Sequence, residues 1–323
     1  MTGRLWRALV LLAVLLMLLG LMAGSSGLDA FRDMGPMTRQ IVLDIRLPRT
    51  LGAAAAGALF GLAGAVAQGV FRNPLADPFL LGSASGASLG VALLLGLGGS
   101  AGGWGASGWA QRLGLTGAAF VGAVAAVLLT LVLARGLYHT VRLLLAGVVV
   151  GVVLGALTQL VMVSFPQSLQ TMQGFMLGST AFLGWSAVAL MAAVWLLCAA
   201  LAWGSARVLD ALTLGEVTAR SLGLPLGPLR LALVLSLALA TGTAVAQTGM
   251  IAFVGLGAPH LVRSLVKTTH GPLLGFASAM GAVLLLAADL LARCLMAPQE
   301  LPVGVLTAAL GGGYLLVRLK ARD

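Results

Sequence analysis

Few side chains in this sequence are equipped for covalent chemistry. His139, His260 and His270 are its only histidines, Cys198 and Cys294 its only cysteines, and aspartate plus glutamate total 9 of 323 residues. None of them falls into an HExxH or a CxxC, spacings that would hold a metal ion. His260 follows Pro259 near the end of an apolar run, where a satisfied structural histidine is the ordinary occupant. The cysteines lie in or at the end of separate apolar runs and read as small packing residues. A phosphate-cradling GxxxxGK[ST] loop is missing too, because Lys267 and Lys320, the only lysines, lack its glycine frame. These residues argue against an enzyme and against an ATPase in this chain.

What the polar inventory offers is arginine. Arg46 and Arg49 make up an RLPR turn and Arg293 closes AADLLAR, and a planar guanidinium pairs bidentately with a carboxylate. Asp289, the only acid well inside an apolar run, stands four residues before Arg293, the spacing of an intrahelical ion pair. Glu216 and Arg220 repeat that spacing in a polar segment.

The elements that must position these groups are made for lipid. Hydrophobic residues are 60% of the chain and charged ones 9%, far from the composition of a water-soluble domain. Apolar runs near 5–23, 50–70, 79–98, 114–134, 141–164, 182–203, 229–249, 251–265, 273–292 and 303–319 predict ten bilayer-spanning helices, the eighth of them short. The expected fold is all-α, a polytopic membrane protein with one transmembrane domain over 1–323. Arg4 and Arg7 before the first run resemble the start of a cleaved signal, but its core is Leu, Val, Ala and Met apart from Gly20, which suits a retained helix. With ten spans and an inside N-terminus, thirteen of the 19 basic residues fall on the inner side. That bias places both termini in the cytoplasm and accounts for the net charge of +10 without nucleic acid. Four of the remaining basic residues, Arg32, Arg39, Arg46 and Arg49, crowd into the first external loop.

Glycine recurs at four-residue spacing in Gly82, Gly86 and Gly90, in Gly147, Gly151 and Gly155, and in Gly57 and Gly61. Small residues on one helix face let backbones approach closely in lipid. In the segment 204–229, Thr213 and Glu216 have capping-box spacing and Gly223 supplies a stop. They predict a short inner helix over 213–223, too short and too polar to span.

Read in order, RLPR, AQGVFRNPLADPFLLGSASGASLG, RLLLAG, LGEVTARSLGLPLG, GMIAFVGLGAPHLVR, AADLLAR and ELPVGVLTAALGG resemble the permease family of ATP-binding-cassette importers for iron siderophores, haem and vitamin B12, the type II importers. The resemblance runs from about residue 40 to residue 317. It implies a ten-helix subunit that pairs with a second copy, two separate ATPase subunits that bind the ATP and Mg, a periplasmic binding protein, and a bacterial inner-membrane location. No cofactor is expected on this chain.

The resemblance also implies roles. Arg46, Arg49 and Arg293 would dock the binding protein. Thr213, Leu214, Gly215, Glu216, Ala219, Arg220 and Gly223 would form the coupling helix pressed by the ATPase. Asn73 and Leu75, with Thr140 and Val141, would form the cytoplasmic gate, where valine departs from the usual small polar residue. Thr158, Gln159, Met162 and Ser164 would line the path along span five. The expected cargo is a bulky metal chelate moved unaltered by alternating access, with haem or a ferric siderophore ahead of cobalamin. An ion-coupled secondary transporter of a small solute is the alternative, since broken helices occur there as well.

Overall fold

The computed structural model describes residues 2–23, 35–99, 108–134, 140–221, 223 and 225–320. Among these residues the fold is helical throughout, in fourteen α-helices joined by short 3₁₀ and π turns. They are α1 (Thr2–Met22), α2 (Pro36–Ile41), α3 (Leu47–Phe71), α4 (Ser83–Gly99), α5 (Gly108–Leu133), α6 (Thr140–Ser164), α7 (Leu169–Leu177), α8 (Trp185–Gly204), α9 (Ala206–Thr213), α10 (Glu216–Ser221), α11 (Leu226–Thr248), α12 (Val254–Leu265), α13 (His270–Cys294) and α14 (Val303–Lys320). Each of the ten expected spans has its helix. Seven are long and apolar enough to cross a bilayer by length and composition, a count that excludes α4, α12 and α14. The short eighth span is α12, of 12 residues.

Helix α3 occupies the middle of the bundle because its sequence is almost all alanine, glycine and leucine. Pro48 lies in its first turn, directly after the π turn Val42–Arg46, and the backbone runs on helically from α2 into α3. Arg72 ends it in a left-handed conformation (φ 50°) that turns its N–H back to the carbonyls of Gln68 and Gly69. Helices α11 and α13 flank it and are largely buried, whereas α1, α5, α6 and α8 form the outer shell. A Cβ on Gly57 would strike the Gly281 carbonyl, one on Gly61 the Ala277 carbonyl, and one on Gly281 the Gly57 carbonyl. The backbones of α3 and α13 therefore touch over two turns, which side chains would forbid.

Two other contacts have the same cause. Gly86 and Gly90 of α4 face the carbonyls of Gly122 and Ala118 on α5. Gly64 faces the carbonyl of Gly255, which Pro259, four residues on in α12, cannot bond for want of an N–H. The second glycine triplet behaves otherwise. Gly147 seats against Leu80, but Gly151 is loosely packed and Gly155 has no neighbour within 4 Å.

The first helix belongs to the bundle. Leu9 is buried against α12 and α13, and Trp6 meets the Phe276 ring edge-on at 5.6 Å.

Gly61→Leu is expected to force α3 and α13 apart and to cost about 3 kcal/mol or more, read as a lowered midpoint of thermal unfolding in detergent. Gly155→Ala, with open space around it, is expected to leave that midpoint unchanged or slightly raised. Equal losses in the two variants would contradict the packing described.

Candidate functional site

At one end of the α3–α13 pair lies a buried cluster of charge. Asp289 of α13 accepts from Arg49 Nε at 3.1 Å and Nη2 at 3.0 Å on one oxygen. The same oxygen takes the Thr180 hydroxyl, and the other pairs with Arg293 one turn along the helix. Arg49 Nη1 reaches Glu300 Oε1 at 2.8 Å, and Arg293 donates to the Gly20 carbonyl of α1 at 2.9 Å. Arg49 is 8% exposed, Asp289 and Arg293 2% each. Two cations thus meet two carboxylates with no net charge left over, the condition under which buried ions are tolerated. The cluster ties together α1, α3, α13, the turn at Thr180 and the segment before α14.

Arg49 and Arg293, expected to dock the binding protein, are both buried and paired within this subunit. A carboxylate inside an apolar helix requires compensation from within the fold, and these two guanidiniums supply it. Arg46 differs. It is half-buried, and its Nη1 donates to the carbonyls of Leu21 and Met22 at 3.1 Å each, capping the last turn of α1. Its position at the rim of the bundle leaves part of it accessible.

The opposite end of α3 leads into RNPLADP. Asn73 is exposed and folds its side-chain oxygen onto the Leu75 N–H at 2.9 Å, an Asx turn, which leaves Leu75 half exposed at the tip. Asp77 accepts the Phe79 N–H at 2.7 Å and starts the 3₁₀ turn Pro78–Leu81. Burial pushes its carboxyl from 3.8 up to about 6, against the lowering effect of that hydrogen bond. The Pro78–Leu81 turn packs on Gly147 through Leu80, about two turns into α6. Thr140, the first residue of α6, and the exposed Val141 therefore stand at the same end of the bundle as Asn73 and Leu75. The side chain of Thr140 lies outside the described residues.

The polar segment 204–229 is built differently from the single capped helix over 213–223. Thr213 ends α9, and its hydroxyl donates to the Asp210 carbonyl at 2.6 Å instead of capping a new helix. Leu214 and Gly215 make an elbow, Gly215 at φ +103° where a side chain would be strained, and α10 starts at Glu216. Val208, Leu209, Ala211 and Leu212 anchor α9 in the core, and Ala219 of α10 is buried as well. Leu214 is exposed and Gly223 follows in a left-handed turn. The side chains of Glu216 and Arg220 lie outside the described residues. Asp210 and His270 are joined here, with Asp210 Oδ1 2.9 Å from the His270 N–H and 2.8 Å from its Nδ1.

Along α6 the four candidate path residues divide. Thr158 returns its hydroxyl to the Leu154 carbonyl at 2.8 Å and is buried with Met162 against the rest of the subunit, so neither lines a path at the subunit surface. Gln159 and Ser164 lie on exposed parts of the helix, next to an uncovered face that includes Val149, Val152, Val153 and Leu160.

Residues 9–321 match the model of the FecCD transport family. The vitamin B12 import system permease proteins BtuC of Salmonella typhi and of Salmonella newport (strain SL254) are each 40% identical over 312 residues, covering 94% of this chain and 91% of theirs. A solved structure described as an inward-facing conformation of a metal-chelate type ABC transporter superposes with a TM-score of 0.87 at 30% identity, covering 99% of both chains. PsaBC from Streptococcus pneumoniae, solved in complex with Fab, reaches 0.59 at 18% identity over 87% of this chain and 91% of that one, a likeness of fold alone.

Asp289→Ala leaves the buried Arg293 without a carboxylate and Arg49 with Glu300 alone, and is expected to cost about 3–5 kcal/mol. Glu300→Ala removes a partly exposed partner and is expected to cost about 1 kcal/mol. Thermal unfolding of the two purified variants distinguishes them, and equal midpoints would contradict the assigned cluster.

Proposed function

The chain belongs to the FecCD transport family, and from that premise we propose that it is the permease subunit of a type II ATP-binding-cassette importer that carries a metal chelate of the vitamin B12 kind into the cytoplasm. The observation that carries this reading is near full-length likeness, in sequence and in fold, to vitamin B12 permeases and a metal-chelate transporter. Cobalamin stands ahead of the iron chelates, which are the commoner cargo of the family, because the relatives of 40% identity are B12 permeases. Alternating access in the bacterial inner membrane, with both termini cytoplasmic, is the mechanism that goes with this reading.

The geometry supports a division of labour along α3. Arg49 and Gly69 are twenty residues apart, roughly 30 Å along a helix, about the thickness of the hydrocarbon layer. The α9–α10 elbow adjoins the Gly69 end, where Leu209 fills the space beside Gly69, and Arg46 lies at the other. In the proposed orientation α10 meets the ATPase inside and the partly accessible Arg46 receives a carboxylate of the binding protein outside. The uncovered apolar faces of α6 and α14 suit a second copy, with Gln159 close to the axis between the two. Asn73, Leu75, Thr140 and Val141 then close the cytoplasmic mouth, and an apolar constriction closes a pore by excluding water. ATP and Mg bind to the partner subunits. An ion-coupled transporter would need a free ionisable group within the membrane, and Asp289 is fully engaged with Arg49, Arg293 and Thr180.

Proteoliposomes containing the assembled complex are expected to take up labelled cobalamin only with ATP. Uptake of haem or a ferric siderophore in its place would overturn the choice of cargo, and uptake driven by an ion gradient without the ATPase would overturn the importer. Arg46→Glu is expected to weaken binding-protein affinity by about tenfold or more with little effect on folding. Unchanged affinity in that variant would remove Arg46 from the docking surface.

A further inference from the structure

We propose that Asp210 and His270 are positioning residues for transport, forming a latch that passes movement of the α9–α10 elbow to α13. This inference rests on the reading of α10 as the ATPase contact. A single carboxylate oxygen of Asp210 takes both the backbone N–H and the Nδ1 of His270. That arrangement fixes the neutral imidazole as the Nδ1–H tautomer. It also places a negative group at the positive N-terminus of α13. The imidazole is buried, and its Nε2 faces Gly69 without a hydrogen-bond partner among the described residues. Packing and Asp210 hold the ring in place, while the Asp210 side chain is 40% exposed.

The tie is directional where its surroundings are not. Leu209 and Leu212 contact the bundle through apolar surface, which permits sliding, whereas two hydrogen bonds sharing one acceptor resist displacement along both donor directions. On its other side Asp210 is fixed by its own helix, which Thr213 closes by bonding the Asp210 carbonyl just before Gly215. A push on α10 passes through the elbow to Asp210, then to the first residue of α13. From there α13 is bound to α3 by backbone contact at Gly57, Gly61 and Gly281 and by the charge cluster at its far end. The latch thus joins the elbow to the α3–α13 pair.

The test uses the complete complex in proteoliposomes and compares cobalamin uptake with ATP hydrolysis in the same vesicles. Asp210→Ala is expected to lower uptake per ATP hydrolysed by about fivefold or more, hydrolysis itself staying within about twofold of the parent. Asp210→Asn, whose amide oxygen still accepts both bonds, is expected to restore most of the ratio. A purely structural role would lower the amount of working complex, and both activities with it, at constant ratio. If Asp210→Ala does not assemble, His270→Ala, which keeps the backbone bond and loses the ring, carries the same comparison. An unchanged ratio in the assembled variant overturns the latch. A parent complex that shows no ATP-dependent uptake overturns the importer reading instead, so the two failures are distinct.

Discussion

The contact on which the rest of this subunit depends is that between the backbones of α3 and α13. In a lipid-solvated bundle, burying apolar side chains against each other has little advantage over leaving them in contact with lipid. Cohesion comes instead from close dispersion contact and satisfied polar groups. Gly57, Gly61 and Gly281 allow carbonyls to lie where side chains would otherwise stand, so the two backbones meet directly. Gly64 extends the same surface to α12 and accommodates the Gly255 carbonyl released by Pro259.

Polar ties hold both ends of α13. At one end Asp289 draws Arg49 from α3 and Arg293 from its own helix, and Glu300 balances the remaining charge. At the other, Asp210 brings α9 to the first residue of α13. Helix α13 is thus tied at both ends and touches α3 between them, an arrangement that resists bending. In the proposed transport cycle the α3–α13 pair is the lever, α10 the point where force enters, and the Arg46 rim the point where the loaded partner is sensed.

Much of this was legible in the sequence, where local rules govern. Lipid solvation alone sets the length and composition of spans, so the ten helices followed from apolar runs. The Asp289–Arg293 pair followed from a four-residue spacing on one helix. The partnership of Arg49 with Asp289 spans 240 positions and has no local signature, so the sequence alone does not reveal it. The ties of Glu300, Thr180 and Asp210 are likewise distant in sequence and without a local signature. The elbow at Gly215 was hidden by a misleading local match, because Thr213 and Glu216 have capping-box spacing while the hydroxyl of Thr213 bonds back to Asp210. The orientation of Thr158 and Met162 could not be read because α6 is apolar on nearly every face. A helix without a polar stripe carries no sign of which side is covered.

Whether α3 and α13 move as one body is best measured by pulsed electron paramagnetic resonance on the assembled complex, with Cys294→Ser to remove the exposed native thiol. Spin labels at Arg72, just past the end of α3, and at Thr269, just before α13, report the distance within one subunit, and labels at Arg72 in both copies report the distance between subunits. Across nucleotide-free and ATP-bound states the distance within the subunit is predicted to stay constant while the distance between copies changes. A shift within the pair as large as that between copies would contradict the account.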